Sequence, residues 1–167
     1  MNITCPVQAS VIPNAAEIAT PKTILVVDDS ADDTRLLKLM FRRSRILNPV
    51  ESVSGVPDAI SYLTGEGIYV DRRVYPFPTL LFLDLHLSDG SGFDILRWLR
   101  AHRDHSPPAV VVLSGSDVKA FKQAYDLGAH SFLVKPLKFE EFENMVQHVR
   151  GISLKRTSEG HLLEVDS

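Results

Sequence analysis

Predominantly apolar runs, rich in β-branched side chains, recur along the chain at 24–27, 79–83, 109–113 and 131–134, and each closes on a polar or charged residue. Short apolar runs without alternation predict strands buried on both faces of a sheet. A weaker run at 50–54 predicts one more strand. Between these runs the apolar positions recur with a period near 3.6. Leu36, Leu37, Met40 and Phe41 mark a first helix, capped by Ser30, with Asp32 and Asp33 at its positive end and an expected end near residue 46. A short helix is predicted at 58–63, stopped by Gly65 and Gly67. Three more follow: Ile95, Leu96, Trp98 and Leu99; then Val118, Phe121, Tyr125 and Leu127; then Phe139, Phe142, Met145, Val146 and Val149.

Strand and helix therefore alternate five times, which predicts an α/β domain: a doubly wound, three-layer, five-stranded parallel sheet with helices on both faces. The stretch 66–78 carries Gly67, Pro76 and Pro78 among Tyr69, Tyr75 and Phe77. It is expected to be a structured surface loop pinned to the domain by its aromatic rings. Periodicity fades after Arg150. The expected organisation is a flexible N-terminal extension at 1–21, one domain at 22–151 and a C-terminal tail at 152–167, too short for an output domain.

Composition narrows the classes. The chain is 44% hydrophobic and 23% charged with a net charge of −3, ordinary for a globular domain. No basic run exceeds Arg42-Arg43, which argues against nucleic-acid binding. The single cysteine, Cys5, excludes an internal disulfide and fits a reducing cytoplasm. The first twenty residues lack a basic n-region and an unbroken apolar h-region, and no segment is long enough to span a bilayer.

In an open parallel sheet, ligands bind beyond the carboxyl ends of the strands. The residues closing the apolar runs are Asp28-Asp29, Asp84, Ser114 and Lys135. Taken alone, Asp28-Asp29 is an ordinary solvated strand end, and Ser114 or Lys135 says nothing. Together they predict one site. Carboxylates gathered at one edge repel, by about 4 kcal/mol for a pair at 4 Å and an effective dielectric near 20. A divalent cation relieves this, and Mg2+ is expected because it takes hard oxygen ligands and keeps positions open for phosphate oxygens. A carboxylate beside a cation, a lysine and a hydroxyl is equipped for phosphoryl transfer. The six histidines lack paired metal-ligand spacing and are read as surface or packing residues.

Five segments carry a resemblance: Val27-Asp28-Asp29-Ser30, Leu83-Asp84-Leu85-His86-Leu87, Gly90-Ser91-Gly92-Phe93, Leu113-Ser114-Gly115-Ser116 and Val134-Lys135-Pro136. In this order they resemble the motifs of bacterial response-regulator receiver domains, over roughly 22–150. The resemblance implies a CheY-like, flavodoxin-like fold with strand order 2-1-3-4-5. It implies that Asp84 is the phosphoacceptor and Asp29 a direct Mg2+ ligand. Asp28 would act mainly through water, and His86 would contribute its backbone carbonyl. Ser114 and Phe132 take the place of the switch hydroxyl and switch aromatic, Lys135 pairs with the phosphoryl group and Asp84, and Pro136 follows a cis peptide bond that aims Lys135 inward. Ser88 stands where the family usually has proline, which predicts a less rigid loop after Asp84.

Tyr62-Leu63 followed by Gly65-Glu66-Gly67, Tyr69, Pro76 and Pro78 is similar to the stand-alone regulators found with bacteriophytochromes. That likeness implies a phytochrome-type sensor histidine kinase, or a histidine phosphotransfer protein, as phosphodonor, and a homodimer through the fourth and fifth helices. The expected function is a cytoplasmic switch that catalyses its own phosphorylation and slow dephosphorylation rather than metabolic turnover. The same residues argue against three rivals. They are an aspartyl phosphohydrolase, which an Asp-x-Asp pattern after the first strand would mark, a flavodoxin-like cofactor binder, and a receiver-like module that is never phosphorylated.

Overall fold

A computed structural model of the protein describes residues 22–102, 107–115 and 118–166. The expected extension at 1–21 with Cys5, the motif residue Ser116, the side chain of Val118 and the terminal Ser167 lie outside the described residues.

The five predicted strands form one parallel sheet. They are β1 (Thr23–Val27), β2 (Val50–Val53), β3 (Pro78–Asp84), β4 (Ala109–Ser114) and β5 (Ser131–Val134), in the order β2-β1-β3-β4-β5. The register runs straight across the centre: Leu25 pairs with Leu81, Phe82 with Val111 and Val112 with Phe132. Five helices cover the faces: α1 (Ala31–Arg43), α2 (Val56–Thr64), α3 (Gly92–Ala101), α4 (Val118–Asp126) and α5 (Phe139–His148).

Alternation along each strand divides the core in two. Ile24, Val26, Leu80, Phe82, Val111 and Leu113 pack toward Leu37 and Phe41 of α1 and Phe142, Met145 and Val146 of α5. Leu25, Val27, Leu81, Leu83, Val110 and Val112 pack toward Ala59 and Tyr62 of α2, Ile95 and Leu96 of α3, and Ala120 and Ala124 of α4. Apolar side chains are needed on both faces of the central strands, which is why the sequence there is uninterrupted rather than alternating.

Two expectations need correction. Helix α1 ends at Arg43 rather than near 46, because Arg45 turns to φ 53° and Ile46 leaves the helix to bridge His161. The expected C-terminal tail is instead an antiparallel hairpin, β6 (Ile152–Arg156) and β7 (His161–Val165). Ile152 and Leu163 are buried against the α1/α5 side of the sheet, and Leu163 is fully covered. The hairpin is tied to the α1–β2 connection. Leu47 N–H donates to the His161 carbonyl, and buried Asn48 accepts from Leu163 N–H at 2.7 Å while its amide donates to the carbonyls of Lys22 and Leu163.

The segment 66–78 is an ordered loop held by the predicted rings. Tyr62, Tyr69 and Tyr75 pack with centroids 5.0–6.1 Å apart, and Phe77 packs on the core. Helix α2 has no basic residue in its last turn and closes on Gly65 at φ 77°. Arg72 reaches back from the loop to supply the missing donors, bonding the carbonyls of Tyr62 and Leu63 at 2.7 and 2.8 Å.

Candidate functional site

The carboxyl ends of β1, β3, β4 and β5 bring the predicted residues to one edge. Asp28 and Asp29 follow β1, Asp84 closes β3, Ser114 closes β4 and Lys135 follows β5. The backbone registers them: Asp84 pairs with Leu113, Ser114 pairs with Val134, and the Lys135 N–H donates to the Ser114 carbonyl at 3.2 Å. The Lys135–Pro136 peptide is cis.

Lys135 Nζ lies at the centre of three carboxylates, 2.5 Å from Asp84 Oδ2, 2.7 Å from Asp28 Oδ2 and 3.0 Å from Asp33 Oδ2. Asp28, Asp84 and Ser114 are buried, whereas Asp29 is exposed. Burial raises the Asp28 carboxyl above its ordinary range, opposed by the hydrogen bond from Lys135. Burial also works against the Lys135 ammonium, but hydrogen bonds to Asp28, Asp84 and Asp33 outweigh it and raise that group, so Lys135 stays charged.

The remaining carboxylate oxygens are held by backbone amides. Asp28 Oδ1 accepts from Ser30 N–H and Asp84 Oδ1 from His86 N–H, both at 2.8 Å. Asp29 Oδ2 accepts from Ser88 N–H, also at 2.8 Å. A proline at 88 could not make that last bond, so the serine ties the loop to the acidic edge instead of loosening it. The loop is fastened again by Asp89, whose carboxylate accepts from Val56 N–H at the start of α2, and by the short ladder pairing His86 with Ser91 and Leu87 with Gly90. The His86 side chain is exposed, with Nδ1 3.9 Å from Asp84 Oδ1.

Oxygen atoms of Asp28, Asp29 and Asp84 lie within 4.8 Å of one another. Three hard anionic donors converging beside a single ammonium fit a small divalent cation. Phe132 is half-buried and stacks edge-on with Phe121 of α4 at 5.3 Å. Asp33 is the member that sequence reasoning missed. In the sequence it reads only as an acid in the first turn of α1, and its contact with Lys135, 102 residues away, has no local signal.

Residues 24–147 match the response regulator receiver domain family. Response regulator Rcp1 of Synechocystis sp. is 30% identical over 139 residues, covering 81% of this chain and 90% of its own length. Among solved structures, the bacteriophytochrome response regulator RtBRR aligns with a TM-score of 0.73 at 29% identity, covering 84% of each chain. The Mn(2+)-bound form of Rcp1 aligns with a TM-score of 0.63 at 28% identity, covering 75% of this chain and 89% of its own. Chemotaxis protein CheY4 of Vibrio cholerae shares the fold, with a TM-score of 0.60 at 18% identity.

Proposed function

The chain belongs to the response-regulator receiver-domain family, and from that premise we propose that it is switched by a phosphoryl group carried on Asp84. A receiver is a signalling protein that takes its phosphoryl group from a histidine kinase or a histidine phosphotransfer protein. The observation that carries the assignment to Asp84 is the convergence on one edge of Asp28, Asp29 and Asp84 with Lys135.

Asp28, Asp29 and Asp84 would hold the divalent cation, with the His86 backbone carbonyl as a further ligand. The fit of hard oxygens and the need for open positions favour Mg2+. When bound, the cation neutralises charge on the phosphoryl oxygens. Asp84 supplies the nucleophile: one carboxylate oxygen forms the O–P bond as the N–P bond of the donor phosphohistidine breaks and the imidazole leaves. Lys135, already on Asp84 Oδ2, stays with the acyl phosphate and holds an equatorial oxygen. The Ser114 hydroxyl donates to another, and Phe132 turns inward. Water attack on phosphorus later returns inorganic phosphate and the free carboxylate.

The likeness to Rcp1 and RtBRR supports a bacteriophytochrome-type kinase as donor. Phe121, Tyr125 and Val134, all exposed near α4 and β5, support a phosphorylation-dependent protein contact there, including a homodimer through α4 and α5. No helix among the described residues is long and apolar enough to cross a membrane.

The test is intact mass after incubation with acetyl phosphate and Mg2+. A gain of one phosphoryl group that disappears in Asp84→Asn is expected. No gain with several donors overturns the reading.

A further inference from the structure

β2 is an edge strand that pairs with β1 alone among the described residues. The carbonyls of Pro49 and Val53 accept from Ile24 and Asp28 N–H. By the two-residue alternation of a strand, the backbone groups of Val50 and Ser52 therefore point away from the sheet. That open edge borders a groove of about 770 Å3, walled by α1 on one side and by Asp58 and Tyr69 on the other, and reaching Asp28 and Asp29 at the carboxyl end of β1.

The α1 wall is basic although the chain as a whole is acidic. Arg35, Lys38 and Arg42 lie three and four residues apart, on one helix face. Lys38 leans over the edge to Ser52 Oγ at 2.7 Å. Arg35 and Arg42 are exposed, and neither makes an ion pair among the described residues. Seven residues of helix rise about 10 Å. Three alternate residues of an extended strand span about 13 Å. Long arginine side chains cover that difference, so an acid at every second position of an added strand meets one cation each. The intervening side chains face the wall of Tyr69 and Asp58, where the ring suits apolar groups and the carboxylate disfavours a second acid.

We propose that the β2 edge is a docking site for an extended peptide segment of a partner protein, with acidic residues alternating with apolar ones, added to the sheet as a sixth strand. The backbone edge supplies affinity and the α1 cations supply register and selectivity. The groove shares Asp28 and Asp29 with the acidic edge at one end, but the α1 cations and the β2 backbone that hold the peptide are not part of that edge, so docking needs no phosphoryl group.

The test uses the unphosphorylated full chain and a labelled, end-blocked Glu-Val-Glu-Val-Glu-Val peptide, read by fluorescence anisotropy and by amide shifts at Val50 and Ser52. Saturable binding is expected. It should weaken about tenfold or more when lysine replaces glutamate, when alternate peptide nitrogens are methylated, and in the Arg35→Glu/Arg42→Glu double variant. Thermal melting verifies that the double variant is folded, and the peptide series holds without it. Absence of saturable binding, equal binding of the N-methylated peptide, or displacement by inorganic pyrophosphate at equal charge overturns the proposal, the last marking a plain anion site.

Discussion

Gly92→Ala is a one-atom perturbation aimed at the seam between β3 and α3. The helix starts at Gly92, whose N–H donates to the Leu85 carbonyl at 3.1 Å, and Ser91 and Asp94 cap it reciprocally. A Cβ built on Gly92 falls 2.2 Å from the Asp84 backbone oxygen and 2.9 Å from Leu85 Cα. Ordinary contact begins near 3.4 Å, so helix and strand end must separate by about 1 Å, with backbone rather than a side chain giving way. Overpacking of this kind costs about 1–3 kcal/mol, or roughly 2–12 °C in Tm for a chain of this length. The larger effect falls on chemistry. Asp84 moves with its own carbonyl while Asp28 and Lys135 stay on other strands, and a misplacement of about 1 Å at a reacting group lowers rates on the order of a hundredfold. The assay is the initial rate of phosphoryl gain from acetyl phosphate with Mg2+, by intact mass, beside a melting curve. Gly90→Ala is the control, because its Cβ meets the Val56 side chain, at 2.9 Å, rather than backbone. Parental Tm and parental rate in Gly92→Ala would refute the reasoning.

Other perturbations reach different parts of the molecule. Asn48→Ala leaves the buried amide and carbonyl of Leu163 without their partner, a loss of about 2–4 kcal/mol; urea melts should show it, with faster hydrogen exchange at Leu163, and unchanged values would contradict the role given to the hairpin. Mg2+ at about a hundred times its Kd should raise stability by about 2.7 kcal/mol, seen as a higher Tm that Asp29→Asn largely abolishes; no shift at tens of millimolar would count against the acidic edge as a cation site. Desolvation on the inner side of its ring, where Nδ1 accepts from Val110 N–H, lowers the pKa of His130, although the residue is otherwise exposed and the effect is correspondingly small. The unfolded chain therefore takes up this proton first, so stability should be lost as pH falls below about 6.5. Comparison with His130→Gln isolates that share, and parallel pH curves for the two proteins would remove it.

The parallel sheet was legible because its strands are buried on both faces, so that composition alone marks 79–83 and 109–113. The site was legible for the same reason: a charge closing a wholly apolar strand, as at Asp84, needs a chemical use. The hairpin was not legible. Its strands alternate, with Leu154 and Leu163 inward and charged residues outward, and so short a two-stranded unit has no signal apart from what it packs against. Its anchor, Asn48, is a polar residue whose three bonds span 26 and 115 residues, which no local window contains. Helix α1 failed at its end for a related cause, since Ile46 fits the helical period yet is drawn off by His161. Ser88 misled in the opposite direction. Judged by backbone stiffness it loosens the loop, but what decides the outcome is the N–H it offers Asp29.

Asp33 changes what the switch must do. On the proposed reading, the acyl phosphate draws Lys135 toward its oxygens, while a bound cation competes for Asp28. Lys135 cannot serve Asp28, Asp33 and a phosphoryl group equally, because an ammonium has three donors and all three are already taken. Asp33 is the partner most easily released. It is the most exposed of the three carboxylates and stands at the longest distance, and a solvated charge pair contributes only about 0–1 kcal/mol. Asp28 is buried, and losing its counter-charge would be tolerable only with the cation in place. On that reading Asp28 and Asp29 would hold the cation before the phosphoryl group reaches Asp84, and Lys135 would turn from Asp33 last. The first turn of α1 would thereby be coupled to the phosphate through a contact weak enough to be given up.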